Sequence, residues 1–141
     1  MLSKQSKIAV IGAGGIGGIT GALLAQAGYD VEMVCKHQEV VDLAKSSGMH
    51  ITGMRGEHDV IMNAVKNINE LSGTKDIIFH ATKATDMIDA ARELLPFLNK
   101  DSVVVSLQNG ICEDALAAVL GRDRVIGCVV GWGATMHAPG N

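Results

Sequence analysis

Six residues near the start of the chain, Gly12-Ala13-Gly14-Gly15-Ile16-Gly17, constrain the fold more than any other feature. They follow a short β-branched apolar run, Lys7–Ile11, which reads as a buried strand. They open a segment, residues 16–26, in which Ile16, Ile19, Leu23 and Leu24 recur at helical spacing before Gly28 stops it. A strand, a glycine turn and a helix in that order form a cradle for the pyrophosphate of a dinucleotide. Gly12 permits the tight turn off the strand, Gly14 keeps a Cβ out of the phosphate's path, and Gly17 lets the helix pack close to the sheet. Ala13, Gly15 and Ile16 complete the loop, whose free N–H groups and positive helix end face the phosphates. The alternative is a structural glycine-rich turn. A Walker-type loop is excluded, because no Gly-Lys-Ser/Thr follows.

The rest of the chain alternates in the same way. Residues 31–35 read as a second strand, and 38–46 as a short helix ending near Gly48. Residues 49–52 and 60–65 suggest two short strands around a turn at 53–59. A strand at 76–80 precedes a helical pattern at 86–98, which Pro96 should end or kink. Residues 102–107 form a strand built on Val103-Val104-Val105, Glu113–Leu120 a helix stopped by Gly121, and 125–130 a last strand. Five apolar strands alternating with four helices predict an α/β fold of Rossmann type: one doubly wound, mostly parallel sheet with helices on both faces. The 141 residues suit one domain, 1–141. Aromatics are only 3%, so its core must be aliphatic.

Charge and cysteine usage exclude several classes. Net charge is −3, and no more than two cations are adjacent, which argues against a nucleic-acid partner. The apolar run at 8–19 is broken by five glycines and is too short to span a membrane. Cys35, Cys112 and Cys128 show no CxxC spacing, so neither a disulfide framework nor a zinc site is implied, and a soluble cytoplasmic protein is expected. Cys112 and Cys128 read as small buried hydrophobes. His50, His58, His80 and His137 lack metal-ligand spacing and read as surface or satisfied positions, so no metal is expected.

The second strand indicates which dinucleotide is bound. An NAD site places Asp or Glu at that strand's end, about 20 residues after the glycine loop, to bind the ribose 2′-hydroxyl. Here the strand ends Val34-Cys35-Lys36-His37. A cation there attracts a 2′-phosphate, with His37 as a second donor, so NADP is favoured. The alternative has Lys36 as a solvated charge and Glu32 serving the ribose, but Glu32 sits mid-strand and should point away.

Three further segments carry a family resemblance. Ala81-Thr82-Lys83 and Leu107-Gln108-Asn109-Gly110 each follow a strand, and Gly133-Ala134-Thr135 with Pro139-Gly140 lies downstream. With the glycine loop, they make the whole chain resemble ketopantoate reductase (2-dehydropantoate 2-reductase). Ligands of open parallel sheets sit over the carboxyl ends of strands, so Lys83 and Asn109 should face the cofactor crevice. The resemblance implies that Lys83, following Thr82, lies beside the nicotinamide ribose and the substrate carboxylate. It implies that Asn109 hydrogen-bonds cofactor and substrate, and that Ala134 lines the nicotinamide pocket. The implied reaction is NADPH-dependent reduction of a small keto acid, 2-dehydropantoate, to pantoate, and a homodimer is the assembly considered.

Two features depart from the family pattern. Lys36 stands where many relatives carry arginine, which removes bidentate phosphate binding. The family's helical second domain, which supplies the general-acid lysine and an acidic substrate ligand, has no counterpart in these 141 residues. The chain is therefore expected to be the amino-terminal half of a two-domain enzyme and inactive in isolation. Two other readings stay open: another two-domain dehydrogenase acting on a hydroxy acid or polyol phosphate, and a stand-alone nucleotide-binding or redox-sensing module.

Overall fold

In the computed structural model, which describes residues 2–141, β1 (Lys7–Ile11) runs through the middle of a sheet. Four of its five residues are buried, as an unbroken apolar run requires when both faces are covered. Next come α1 (Gly15–Gln26), β2 (Asp30–Val34), α2 (Gln38–Lys45), β3 (Met49–Ile51), β4 (His58–Val60) and β5 (Asn63–Val65). The chain then crosses to β6 (Lys75–His80), α3 (Met87–Leu94), β7 (Leu98–Ser106), α4 (Glu113–Leu120) and β8 (Val125–Gly127). The main sheet has six strands in the order β5-β2-β1-β6-β7-β8, and every pairing is parallel. The direction of winding reverses at β1, so the loops after β1 and β6 diverge and leave a crevice between them.

Alternation along the strands divides the core in two. Ile8, Val10, Val31 and Met33 pack on one face with Val40, Val41 and Ala44 of α2. Ala9, Ile11, Val34, Ile78 and Val104 pack on the other with Leu94 of α3 and Leu116 and Leu120 of α4. The side of α1 that is buried is Gly17, Gly18, Gly21 and Ala22, while Ile19, Leu23 and Leu24 are only partly buried. Its small residues face inward, because the helix lies too close to the sheet for larger ones.

The structure redraws several sequence boundaries. Residues 60–65 are two strands, not one: Val60 pairs antiparallel with Met49, whereas Ala64 pairs parallel with Met33 and gives the main sheet its sixth strand. The helical pattern at 86–98 ends at Leu94 in a 3-10 turn, Leu95–Phe97, and Leu98 already belongs to β7. Pro96 sits in that turn, with no N–H to continue the helix. The last strand stops at Gly127 instead of 130. Cys35 and Cys112 are buried, but Cys128 is exposed: it lies just past β8, at the sheet's edge, where its N–H still donates to the Ser106 carbonyl of β7. His50 pairs with Glu57 and Asp59, and His58 with Gln26 and the Arg55 carbonyl. Among the described residues no helix is long and apolar enough to cross a membrane.

One buried ion pair clamps the sheet beneath the crevice. Lys75 Nζ lies 2.7 Å from Glu32 Oε2, and each side chain is only 4% exposed. The same carboxylate oxygen accepts from the Ser72 N–H at 3.0 Å and the Ser72 hydroxyl at 2.9 Å. Burial alone would raise the Glu32 carboxyl pKa, but Lys75 and the two Ser72 donors outweigh it and hold it below the usual range. Removing one partner strands the other charge, so Lys75→Met should cost about 3–5 kcal/mol. The double variant Glu32→Gln with Lys75→Met should recover most of that loss. Urea unfolding midpoints of the two variants against wild type check both outcomes.

Candidate cofactor-binding site

The turn after β1 is held by contacts that exclude a side chain. Gly12 has φ +99°, and its N–H donates to the Val34 carbonyl at 2.9 Å, fixing the turn against β2. A Cβ on Gly12 would lie 2.7 Å from the Ala81 carbonyl oxygen, and one on Gly17 only 1.9 Å from the Gly12 carbonyl oxygen. Gly14 differs: its backbone is extended, with φ −72° and ψ −170°, and a Cβ there would meet nothing within 4 Å. Gly14 also caps α1 without any side-chain hydrogen bond, and the first turn contains no acid. The N–H groups of that turn are therefore left for an anion.

Over the carboxyl ends of β1, β2 and β6 lies a crevice of about 520 Å³. Gly12, Ala13 and Gly14 line one part of it, Cys35, Lys36 and His37 a second, and Ala81, Thr82 and Lys83 a third. Lys66, just past β5, joins them, and Asp86, Asp89 and Glu93 line the side formed by α3. Ile16 and Gly17 sit in the first turn of α1, behind the crevice lining. A second cavity of about 350 Å³ flanks the same helix start and is lined by Gly14, Gly15, Gly18 and Ala134. Ala134 faces the helix closely, since a Cβ on Gly15 would lie 2.8 Å from its carbonyl oxygen.

The strand ends are tied together beneath the crevice. The Ala81 N–H donates to the Ile11 carbonyl at 2.8 Å, and the Leu107 N–H to the His80 carbonyl at 2.9 Å. Gln108 connects the two loops: its Nε2 lies 3.0 Å from both the carbonyl and the hydroxyl oxygen of Thr82, and 3.1 Å from His80 Nδ1. The Ser106 hydroxyl donates to the Gln108 Oε1 at 3.2 Å, which orients the amide. With Nδ1 accepting, the His80 proton belongs on Nε2, and that atom has no hydrogen-bond partner. His80 is wholly buried, and burial pushes its pKa down to about 4 against a small opposing pull from the Met87 backbone.

Sequence reasoning and structure thus place the site residues unevenly. Gly12, Ala13, Gly14, Lys36, Thr82 and Lys83 share one crevice, and Gly15 and Ala134 share the adjoining cavity. Asn109 is exposed and outside the lining of both cavities, and its carbonyl accepts from Cys112 Sγ at 3.7 Å. Two residues went unassigned from sequence. Lys66 was findable, since a strand ending at Val65 points its next residue over the sheet's carboxyl edge. Gln108 had no sequence signal for its role, because its partners, Thr82 and His80, lie 26 and 28 residues away at the end of β6 and in the loop after it.

A parallel sheet that reverses winding beside a glycine loop, with a bare helix start facing the crevice, defines a dinucleotide-binding domain. Within that class the chain belongs to the ketopantoate reductase PanE/ApbA family, whose profile matches residues 8–141. It is 34% identical over 135 residues to the 2-dehydropantoate 2-reductase of Pyrococcus abyssi, covering 95% of this chain and 43% of that protein. It is 31% identical over 139 residues to the enzyme of the same name from Archaeoglobus fulgidus, covering 98% and 44%. Among solved structures, the PanE/ApbA family ketopantoate reductase from Ralstonia eutropha JMP134 superposes with a TM-score of 0.86 at 30% identity, over 95% of this chain and 44% of that one. D-mandelate dehydrogenase, solved with NADH and anilino(oxo)acetate, gives 0.85 at 27% identity, over 95% and 44%. The chain spans less than half the length of these relatives.

The two glycines should respond oppositely to substitution. Gly14→Val should fold normally, since its backbone suits any residue, yet abolish dinucleotide binding by filling the phosphate's approach. Gly17→Ala should instead destabilise the fold, because its Cβ meets backbone. Thermal unfolding and cofactor titration of both variants separate the two effects.

His80 gives a pH prediction. Its folded pKa of about 4 lies below the unfolded 6.5, so the unfolded chain binds the extra proton first. The stability from keeping it neutral is full above pH 6.5 and drains away as pH falls toward 4, up to about 3 kcal/mol in all. Unfolding curves of wild type and His80→Leu across that window should diverge with the wild type losing more.

Proposed function

We propose that this chain is the cofactor-binding half of an NADPH-dependent 2-dehydropantoate 2-reductase, which reduces the ketone of 2-dehydropantoate to the alcohol of pantoate. The observation that carries the reading is the family match along residues 8–141. A dihydronicotinamide bound here would supply the hydride. The chain's own part is to bind and orient: the start of α1 takes the pyrophosphate, and Lys83 offers a positive charge to the substrate carboxylate and the developing alkoxide. A helical segment beyond these residues would supply the general acid and close the site to water. The small keto acid substrate and a cytoplasmic location belong to the same reading. The likeness to D-mandelate dehydrogenase favours one alternative, a reductase of another 2-keto acid, and a substrate screen separates the two.

The NADPH preference rests on charge at the end of β2. Glu32, the alternative carboxylate for a ribose 2′-hydroxyl, is buried against Lys75 and Ser72 and unavailable. Lys36 and Lys66 line the crevice instead. Calorimetric titration should therefore show tighter binding of NADPH than NADH, and Lys36→Glu should weaken NADPH by about tenfold or more while sparing NADH. Equal affinities in the wild type would refute the preference.

Turnover provides the second test. Residues 1–141 alone should bind cofactor but oxidise NADPH with 2-dehydropantoate at least about 10²–10⁴-fold more slowly than a full-length relative. A rate within about tenfold of that relative would show that Lys83 and its neighbours suffice.

A further inference from the structure

The crevice does not present a uniformly positive wall to a 2′-phosphate. Lys36, His37 and Lys66 line it on the β2 and β5 side, while Asp86, Asp89 and Glu93 line it on the α3 side. One contact joins these walls: Asp86 Oδ2 lies 3.4 Å from Lys36 Nζ. Asp89 is engaged along its own helix with Arg92 at 3.4 Å.

The Asp86 side chain also caps nothing where it stands. It occupies the N-cap of α3, a position at which aspartate usually accepts from a backbone N–H of the first turn, yet its side chain makes no such bond. The carboxylate reaches across the crevice to Lys36 instead. The two side chains are 51% and 72% exposed, so the pair is weak, screened by salt and readily displaced.

We propose that Asp86 is a specificity-determining residue that competes with the cofactor's 2′-phosphate for Lys36 and so limits the preference for NADPH over NADH. The inference rests on the assignment of Lys36 to the 2′-phosphate made above. Its physical basis is simple. NADPH must detach Lys36 from Asp86 and then keep a phosphate bearing nearly two negative charges close to a carboxylate. NADH, with a 2′-hydroxyl, meets neither demand. Lysine makes the competition effective, because a single ammonium cannot serve two anions with the forked geometry of a guanidinium.

The test titrates NADPH, NADH and adenosine 2′,5′-bisphosphate into the 141-residue chain and into Asp86→Asn, with Asp89→Asn as a control, at low and high salt. Asp86→Asn should tighten NADPH and the bisphosphate by about three- to tenfold, change NADH by less than about twofold, and lose the effect at high salt. Asp89→Asn should shift the ratio less. An unchanged NADPH-to-NADH ratio in Asp86→Asn, while the wild type still prefers NADPH, overturns the role of Asp86 and leaves the NADPH reading intact. A wild type that prefers NADH, with Asp86→Asn moving the ratio toward NADPH, upholds Asp86 and overturns that reading. Failure of every ligand to bind overturns both.

Discussion

The close seating of α1 on the turn after β1 governs the rest of the structure. A Cβ on Gly17 would sit 1.9 Å from the Gly12 carbonyl oxygen and 3.1 Å from the Ala81 side chain, so the helix start touches two strand ends at once. That contact points the helix's free N–H groups over the carboxyl edge of the sheet and sets the width of the crevice. It also explains why the buried side of α1 is a row of glycines and alanine rather than the leucines and isoleucines that its sequence offers. Packing here is limited by distance, and small residues win.

Charge inside the domain is arranged with equal economy. Glu32 lies in the strand whose end should carry an acid in an NAD site, but it is consumed by Lys75 and Ser72 on the far side of the sheet from α1 and α2. The crevice is left with cations on one wall and carboxylates on the other, joined by Lys36 and Asp86. Both members of the buried pair are desolvated and share hydrogen bonds with Ser72, so losing one partner is costly, whereas the exposed pair is weak enough to exchange partners. The same kind of ion pair thus occurs at two dielectric extremes, one inside the fold and one at the rim of the crevice.

His80 and Gln108 show how the two loops that flank the crevice are held in register. Thr82 and Gln108 follow adjacent strands, and the Gln108 amide bonds one loop to the other while Ser106 fixes which way the amide points. A neutral imidazole beneath them supplies an acceptor without adding a charge under a site lined by lysines. His80 keeps an unpartnered Nε2 as a consequence, a cost of order 1–3 kcal/mol that the rest of the core must offset.

The sequence alone determined the Rossmann class, the glycine loop and most of the succession of strands and helices along the chain, because these follow from local periodicity and from turns that only glycine makes. Residues 7–11 and 113–120 were legible to the residue, since an apolar run or helical pattern there is bounded by a glycine turn or stop. It also marked Lys36 and Lys83, as residues just past strand ends must lie at the sheet's carboxyl edge. Tertiary structure decided the rest. It split residues 60–65 between two sheets, because Val60 and Ala64 found partners that lie 11 and 31 residues back in the chain. It left Asn109 in solvent, put Gln108 beneath Thr82, buried Glu32 against Lys75 and drew Asp86 to Lys36. The three contacts depend on which distant side chain comes within hydrogen-bonding reach, and no local pattern carries that information.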